Sequence, residues 1–152
     1  MNIRLATAAD IPEILDLERE CETAAHWSEG QYLSALPACG SALTSRLVLI
    51  VVRPQSSVAG FLVARHHGPE WELENIVVNP ESRRVGVGSG LLAELFNRAR
   101  ATGSESVVLE VRESNHSARK FYEKWGFEET GHRKRYYSHP VEDAVLYHRV
   151  IS

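Results

Sequence analysis

The chain has 152 residues, which predicts one domain over residues 1–152. Its net charge is −3 and its pI is near 6.2, so nucleic acid or an anionic membrane is not favoured as a partner. Hydrophobic residues make up 43% and charged residues 24%, as in globular proteins that bury a sizeable core. No apolar stretch approaches the roughly 20 residues of a membrane span and no basic apolar leader precedes the first strand-like segment, which predicts a cytoplasmic protein.

The N-terminal segment predicts one strand and two helices. "NIRLA" alternates weakly, and Asp10 can cap a helix that carries Pro12 in its first turn. Ser28 and Gln31 stand in capping-box register with Trp27 ahead as a hydrophobic staple, which predicts a second helix. The apolar face of the first helix consists of Ile11, Ile14, Leu15 and Leu17. Its solvated face is expected to carry Glu18, Glu20 and Glu22.

Three strand-like segments come next. "RLVLIVVR" and "VAGFLVARHH" flank "PQSS", which predicts a hairpin, and "EWELENIVV" predicts a third strand. Beyond a glycine-rich loop, apolar residues at helical spacing from Val87 to Ala99 predict a helix that ends at Gly103. "SVVLEV" predicts a strand, "SARKFYEKWGF" a helix closed by Gly126, and the remainder two strands around a loop at Ser138–Pro140. This order predicts a mixed α/β domain.

The segment "NPESRRVGVGSGLLAEL" places three glycines directly before a helical pattern. Glycines let backbone N–H groups approach an anion, and the helix dipole favours negative charge there. The phosphate loop of NTPases is excluded because Leu91 follows the third glycine where that motif needs lysine. A dinucleotide-binding loop would use Glu110 as its ribose-binding acid, but seven residues separate Val78 from Gly86 and that loop is tighter. A helix N-terminus without a ligand stays open as an alternative.

A more extended pattern carries a resemblance to a known family. Arg83-x-x-Gly86-x-Gly88 is similar to the coenzyme A pyrophosphate loop of the GNAT acetyltransferase superfamily. The chain from about Leu73 to Ser152 also resembles RimI-type ribosomal-protein alanine N-acetyltransferases through Leu109–Arg112, Ser114–Asn115, Tyr122–Glu123, Gly126–Phe127, Tyr136–Tyr137 and Glu142–Ala144. The resemblance implies the GNAT fold, a mixed and largely antiparallel sheet of about six to seven strands, split near the acetyl site and flanked by about four helices.

The resemblance also implies roles for individual residues. Glu110 would be the general base and Tyr122 the acid that protonates the coenzyme A sulfur, while Tyr136 and Tyr137 would hold the acceptor backbone. Acetyl-CoA is implied as cosubstrate. Its pantetheine arm would pair with the end of the predicted strand "EWELENIVV", its pyrophosphate would bind the glycine loop, and one side chain would form a hydrogen bond with the pantetheine arm. These contacts are assigned to Ile76, Val77, Val78, Arg84, Val85, Gly86, Val87, Gly88, Ser89 and Asn115. Asn115 would also cap the helix that carries Tyr122.

The implied acceptor is the N-terminal α-amine of a protein, with an alanine of a small-subunit ribosomal protein as the specific expectation. Val141 stands where a glycine commonly precedes Glu-Asp, and no Phe-Pro precedes Trp27, so the acceptor side departs from the family pattern. A lysine side chain or a small-molecule amine stays open as acceptor, as do a non-catalytic acyl-CoA sensor and an NAD-binding module. No metal is expected, because none of the seven histidines forms a ligand spacing with cysteine.

Overall fold

A computed structural model describes residues 2–21, 24–36, 46–54 and 57–151. Its strands and helices are, in chain order, β1 (Asn2–Leu5), α1 (Ile11–Glu20), α2 (Glu29–Ala35), β2 (Arg46–Val52), β3 (Val58–His67), β4 (Glu70–Val78), α3 (Val87–Ala101), β5 (Ser106–Arg112), α4 (His116–Lys124), β6 (Glu128–Tyr137) and β7 (Glu142–Val150). This order confirms the element sequence predicted above. No helix within the described ranges has the length and apolar character to cross a membrane.

The seven strands form one mixed sheet in the order β1-β2-β3-β4-β5-β7-β6. All neighbouring strands are antiparallel except β4 and β5, which run parallel. The β4–β5 ladder ends at Leu73 and Leu109, whereas β4 stays paired with β3 as far as Val78 and β5 stays paired with β7 as far as Arg112. The sheet is therefore split beyond Leu73 and Leu109, as expected for the GNAT fold.

Hydrophobic clusters cover both faces of the sheet. On one face, Leu91, Leu92 and Leu95 of α3 are fully buried in a cluster that also includes Tyr122 of α4. On the other face, α1 and α2 lie against β2, β3 and β4. Alternate residues of β5 on this second face, Val108 and Glu110, are only half-buried. The second face is therefore open to solvent beside the split, and we call this part the open face.

A glycine in β3 lets α3 begin close to the sheet. A Cβ on Gly60 would lie 2.8 Å from the carbonyl oxygen of Val77 and 2.9 Å from a methyl of Val87, which is the first residue of α3. Any larger residue would push the start of α3 away from β4. Gly60 therefore fixes where the glycine loop lies relative to the split.

The helix starts are stabilised largely as predicted. Ser28 N donates to Gln31 Oε1 at 2.8 Å and Gln31 N donates to Ser28 Oγ at 3.2 Å, which confirms the capping box. Asp10 precedes α1, but its carboxylate binds Thr7 N at 2.7 Å and Arg4 at 2.9 Å instead of capping α1. The expectation that Glu18 is solvated is wrong, because Glu18 is 1% exposed. Glu22 lies outside the described residues.

Candidate active site

The glycine loop forms a cradle of backbone donors at the start of α3. Gly86 immediately precedes the helix with φ +85° and Arg84 has φ +64°, so the chain turns sharply twice before the first helical residue. No side chain caps this helix start, so the N–H groups of its first turn are free to bind an anion. Neither Arg83 nor Arg84 forms an ion pair with any residue that the structure describes. Two positive charges therefore flank the backbone donors.

Two residues of the loop also join α3 to α4. A Cβ on Gly88 would lie 3.3 Å from Phe121 Cζ, so a small residue is needed for the helices to pack. Ser89 Oγ accepts a hydrogen bond from Trp125 Nε1 at 3.3 Å. Their contribution to an anion site would therefore come from backbone N–H groups. Val85 is 66% exposed and lies at the outer rim of the loop.

The free edge of β4 borders the split. Ile76, Val77 and Val78 pair with β3 on one side and have no β5 partner on the other. An extended ligand arm can bind such an edge as an added strand. On the opposite side of the split, Asn115 Oδ1 accepts a hydrogen bond from Ala118 N at 3.3 Å, which confirms Asn115 as the cap of α4.

Glu110 lies on β5 directly after Leu109, the last residue that pairs with β4. Its side chain is 20% exposed, and its Oε1 lies 3.2 Å from Nε of Arg133 on β6. Interaction with the Glu110 carboxylate, more than burial, raises the pKa of Tyr136, so these two side chains lie close together. The predicted base is therefore held at the split by two polar side chains of β6.

Tyr122 lies on α4, on the face opposite Glu110, and is 6% exposed. Its ring contacts Phe121, Phe127 and Tyr147. Its hydroxyl forms no hydrogen bond with any described residue. Burial raises the pKa of Tyr122, and the nearby hydroxyl of Tyr137 raises it further. The hydroxyl is therefore protonated at neutral pH and has a proton to donate.

Tyr137 connects the two predicted catalytic residues electrostatically. Burial raises the pKa of Tyr137 to about 12, and the negative charge of Glu110 contributes to the shift. Tyr137 in turn acts on Tyr122. The structure thus brings Glu110, Tyr122, Tyr136 and Tyr137 into one site around the split.

A brace between β5 and the β6–β7 turn was missed by sequence reasoning, which treated its residues only as motif positions. Arg112 donates to the carbonyl oxygens of Ser138 and Pro140 at 3.2 and 3.1 Å and to Glu142 at 3.3 Å. Its guanidinium lies 4.5 Å from the ring centroid of Tyr137. Glu142 also accepts from Ser114 N at 2.6 Å. The Ser114 side chain first, then this backbone bond and the Arg112 guanidinium, lower the pKa of Glu142.

A cleft of about 260 Å³ lies beside Glu110, lined also by Glu72, Arg133 and Leu146. The negative charge of Glu72 contributes to raising the pKa of both Arg46 and Tyr136. Glu72 therefore lies near one side chain of β2 and one of β6. Within the described ranges, no three His, Cys, Asp or Glu side chains come together as a metal site. The polar groups of the cleft are therefore carboxylates, hydroxyls and guanidinium groups.

Comparison with known proteins gives consistent matches. The family model described as the acetyltransferase (GNAT) family matches residues 11–127. A [ribosomal protein bS18]-alanine N-acetyltransferase of Haemophilus ducreyi is 32% identical over 133 residues, which cover 84% of this chain and 87% of that protein. The crystal structure of the ribosomal-protein-S18-alanine N-acetyltransferase from Escherichia coli has a TM-score of 0.83 at 29% identity and covers 99% of this chain and 94% of that chain. Ard1 from Thermoplasma volcanium has a TM-score of 0.84 at 28% identity, with 99% and 97% covered.

Proposed function

Because the chain belongs to the GNAT acetyltransferase family and is thus an N-acetyltransferase, we propose that it transfers the acetyl group of acetyl-CoA to the N-terminal α-amine of a protein. We propose that it acts in the cytoplasm as a single domain, without a metal. The observation that carries the proposal is the position of Glu110 at the point where β4 and β5 separate. The proposed acceptor is an N-terminal alanine of a small-subunit ribosomal protein, in line with the names of its relatives.

The described residues fit acetyl-CoA in three places. The uncapped start of α3 with Arg83 and Arg84 suits the pyrophosphate. The free edge of β4 at Ile76–Val78 suits the amides of pantetheine, and Asn115 lies at the start of α4 across the split. When bound, the coenzyme supplies an activated acetyl thioester. Backbone N–H groups along the free β4 edge would stabilise the negative charge that develops on the acetyl oxygen.

Glu110 is the group that removes the acceptor's proton in this proposal. An α-amine has a pKa of about 7.7–8.0, so forming the neutral amine at pH 7 costs about 1 kcal/mol, whereas a lysine with a pKa of about 10.4 costs about 5 kcal/mol. A carboxylate that acts directly or through one water is adequate for the smaller task. The open face gives the acceptor access to Glu110, with Tyr136 and Tyr137 alongside.

Tyr122 is the proposed acid. Its buried, protonated hydroxyl has no partner among the described residues, so it is free to give its proton to the departing thiolate sulfur. The two proton transfers then occur on opposite faces of the split sheet. The acceptor loses its proton on the open face, and the thiolate gains one on the α4 face.

The proposal is tested by steady-state release of free coenzyme A thiol from acetyl-CoA with a panel of acceptors. The panel holds an alanine-initiated basic peptide, the same peptide blocked at its N-terminus with an internal lysine, several polyamines and several aminoglycosides. We expect turnover on the free alanine terminus alone, reduced about 100-fold in Glu110→Gln at pH 7. Turnover on the blocked peptide or on a small amine would overturn the acceptor assignment but leave the enzyme class. Binding of acetyl-CoA without turnover on any acceptor would instead indicate a sensor.

A further inference from the structure

The most deeply buried carboxylate among the described residues has no role in the chemistry proposed above. Glu18 lies in the last turns of α1, on a charged helix, and is 1% exposed. A buried carboxylate is costly unless several donors surround it. Glu18 Oε1 accepts three hydrogen bonds, from Tyr32 Oη at 2.8 Å, Asn75 Nδ2 at 3.0 Å and Trp27 N at 3.0 Å. These donors come from α2, β4 and the loop between α1 and α2.

Asn75 completes a bracket between that loop and the sheet. Its Oδ1 accepts from Ala25 N at 3.4 Å, while its Nδ2 donates to Glu18. We call residues 24–28 the 24–28 loop. Two of its backbone N–H groups, those of Ala25 and Trp27, are bound by side chains from outside the loop and its adjoining helix start. The other described N–H bonds of this loop are local, from Ala24 to Cys21 and from Ser28 to Gln31. Glu18 and Asn75 therefore attach the loop to β4.

The attached loop is linked to the cleft beside Glu110 through Trp27 and Arg46, because the charge of Glu72, which lines that cleft, contributes to raising the pKa of Arg46. Trp27 packs on Tyr32 with ring centroids 5.3 Å apart, and the Arg46 guanidinium lies 5.0 Å from the centre of the Trp27 ring. Arg46 in turn binds Glu74 through two hydrogen bonds, at 2.9 and 3.1 Å. Glu74 is the residue at which the β3–β4 register shifts, next to Asn75 and just beyond the end of the β4–β5 ladder. Trp27 is thus connected through Arg46 to β4 beside the split.

We propose that Glu18 and Asn75 are positioning residues for the acceptor: they hold the 24–28 loop and Trp27 at a fixed distance from Glu110, and so set acceptor affinity without contacting the acceptor. The inference rests on the proposed function in one respect, namely that the acceptor enters on the open face. The coenzyme cradle lies at the far end of β4, at the start of α3, and shares no hydrogen bond with the bracket among the described residues. Loss of the bracket should therefore affect the acceptor and leave the coenzyme unchanged.

The experiment compares three substitutions that remove different parts of the bracket. Glu18→Leu removes all three hydrogen bonds of the carboxylate, and Glu18→Gln retains an oxygen that can accept them. Tyr32→Phe is the matched control. It removes the hydroxyl's bonds to Glu18 and Asn75 but leaves the bonds from Ala25 N to Asn75 and from Trp27 N to Glu18, which attach the loop to β4. Asn75→Ala removes the β4 side of the bracket. It replaces Glu18→Leu as the test variant if Glu18→Leu does not fold. The measurements are the KM for acceptor, the KM for acetyl-CoA, and hydrogen exchange of the Ala25 and Trp27 amides.

We expect Glu18→Leu and Asn75→Ala to raise the acceptor KM about tenfold or more, with the acetyl-CoA KM changed less than about twofold. Glu18→Gln should restore most of the affinity, and Tyr32→Phe should lower the melting temperature while the acceptor KM stays within about threefold. Equal increases in both KM values, or an acceptor defect in Tyr32→Phe as large as that in Glu18→Leu, would overturn the proposal.

The amide-exchange measurement separates this inference from the proposed function. In Glu18→Leu the Trp27 amide, and in Asn75→Ala the Ala25 amide, should exchange at least about tenfold faster than in Tyr32→Phe. If the wild type acetylates only a different amine, the proposal of an α-amine acceptor is wrong. The same comparison of KM values is then made with the amine that is acetylated. If no acceptor is found, unchanged exchange of both amides refutes the bracket and faster exchange supports it.

Discussion

The two sides of the split are built from different parts of the chain. The coenzyme side uses nearly contiguous residues, from Ile76 on β4 to Ser89 on α3, and offers mainly backbone groups. The acceptor side joins residues far apart in sequence through side-chain bonds, as in Arg46–Glu74 and Arg112–Glu142. In the proposed function, backbone geometry would thus provide the site for acetyl-CoA, whereas side-chain pairs would shape the acceptor cleft. Substitutions on the two sides should therefore change different kinetic constants.

The largest effect should come from the residue that serves the departing thiolate. We expect Tyr122→Phe to lower kcat by roughly 10²–10⁴-fold, the range for loss of a positioned acid, with acetyl-CoA binding retained because the ring still packs. Single-turnover thiol release measures the rate and calorimetry measures the binding.

Tyr147→Phe is the matched control for this prediction. Its ring lies next to Tyr122, at 6.4 Å between centroids, but its hydroxyl is held by Arg119 and Glu123. We expect its kcat to stay near the wild-type value. An equal loss in both variants would show that packing around α4, rather than proton donation, controls the rate.

Glu110→Gln should give the next largest effect, about 10²-fold in kcat/KM at pH 7, because the acceptor then loses its base. An α-amine titrates near pH 7.7–8.0, so the defect should shrink between pH 7 and 9 as the free amine forms without help. Initial rates across this range provide the measurement. A defect that stays constant with pH would remove Glu110 from proton transfer and assign it to acceptor binding.

On the coenzyme side, Gly86→Val should weaken acetyl-CoA binding by at least about tenfold, because a β-branched residue is strained at φ +85° and crowds the backbone donors. Gly103→Val imposes the same strain just beyond the other end of α3, at φ +70°, where a Cβ meets nothing within 4 Å. We expect the control to lose stability while acetyl-CoA affinity stays unchanged. Equal losses of affinity in both variants would mean that α3 stability, not the cradle, determines binding.

On the acceptor side, Arg112→Ala should raise the acceptor KM by several-fold and leave that of acetyl-CoA unchanged, because the β6–β7 turn next to Tyr137 loses its brace. Steady-state kinetics with each substrate varied in turn gives both constants. A selective rise in the acetyl-CoA KM would contradict the division between the two sides.

The smallest effect concerns stability. The pKa of Glu142 is lowered in the folded state by Ser114 and Arg112, so its contribution is present above the unfolded carboxyl pKa of about 4.3 and is lost as pH falls through the lower folded value. Glu142→Gln should therefore lower the melting temperature at pH 7, and the difference from wild type should shrink below about pH 4. Thermal melts at both pH values test this, and a difference that persists unchanged in acid would contradict it.

Features that depend on residues close together in the sequence could be predicted, whereas contacts between distant residues could not. The capping box at Ser28, the helix after the glycine loop and the cap at Asn115 were all predicted correctly, because each depends on residues a few positions apart. Glu18 was misplaced, because a glutamate in an amphipathic helix is normally solvated and its partner Asn75 lies 57 residues away. The contact between Arg133 and Glu110 could not be predicted from the sequence, because it depends on the register of distant strands.

The split has a consequence for the behaviour of the protein in the test tube. Beyond Leu73 and Leu109, two strands in the middle of the sheet present backbone groups to the gap instead of to each other. Unpaired strand edges recruit other chains and promote aggregation, a hazard that most sheets carry only at their rims. We expect preparations that contain acetyl-CoA to remain monodisperse for longer than those without it, because an arm seated along β4 protects the edge that would otherwise self-associate.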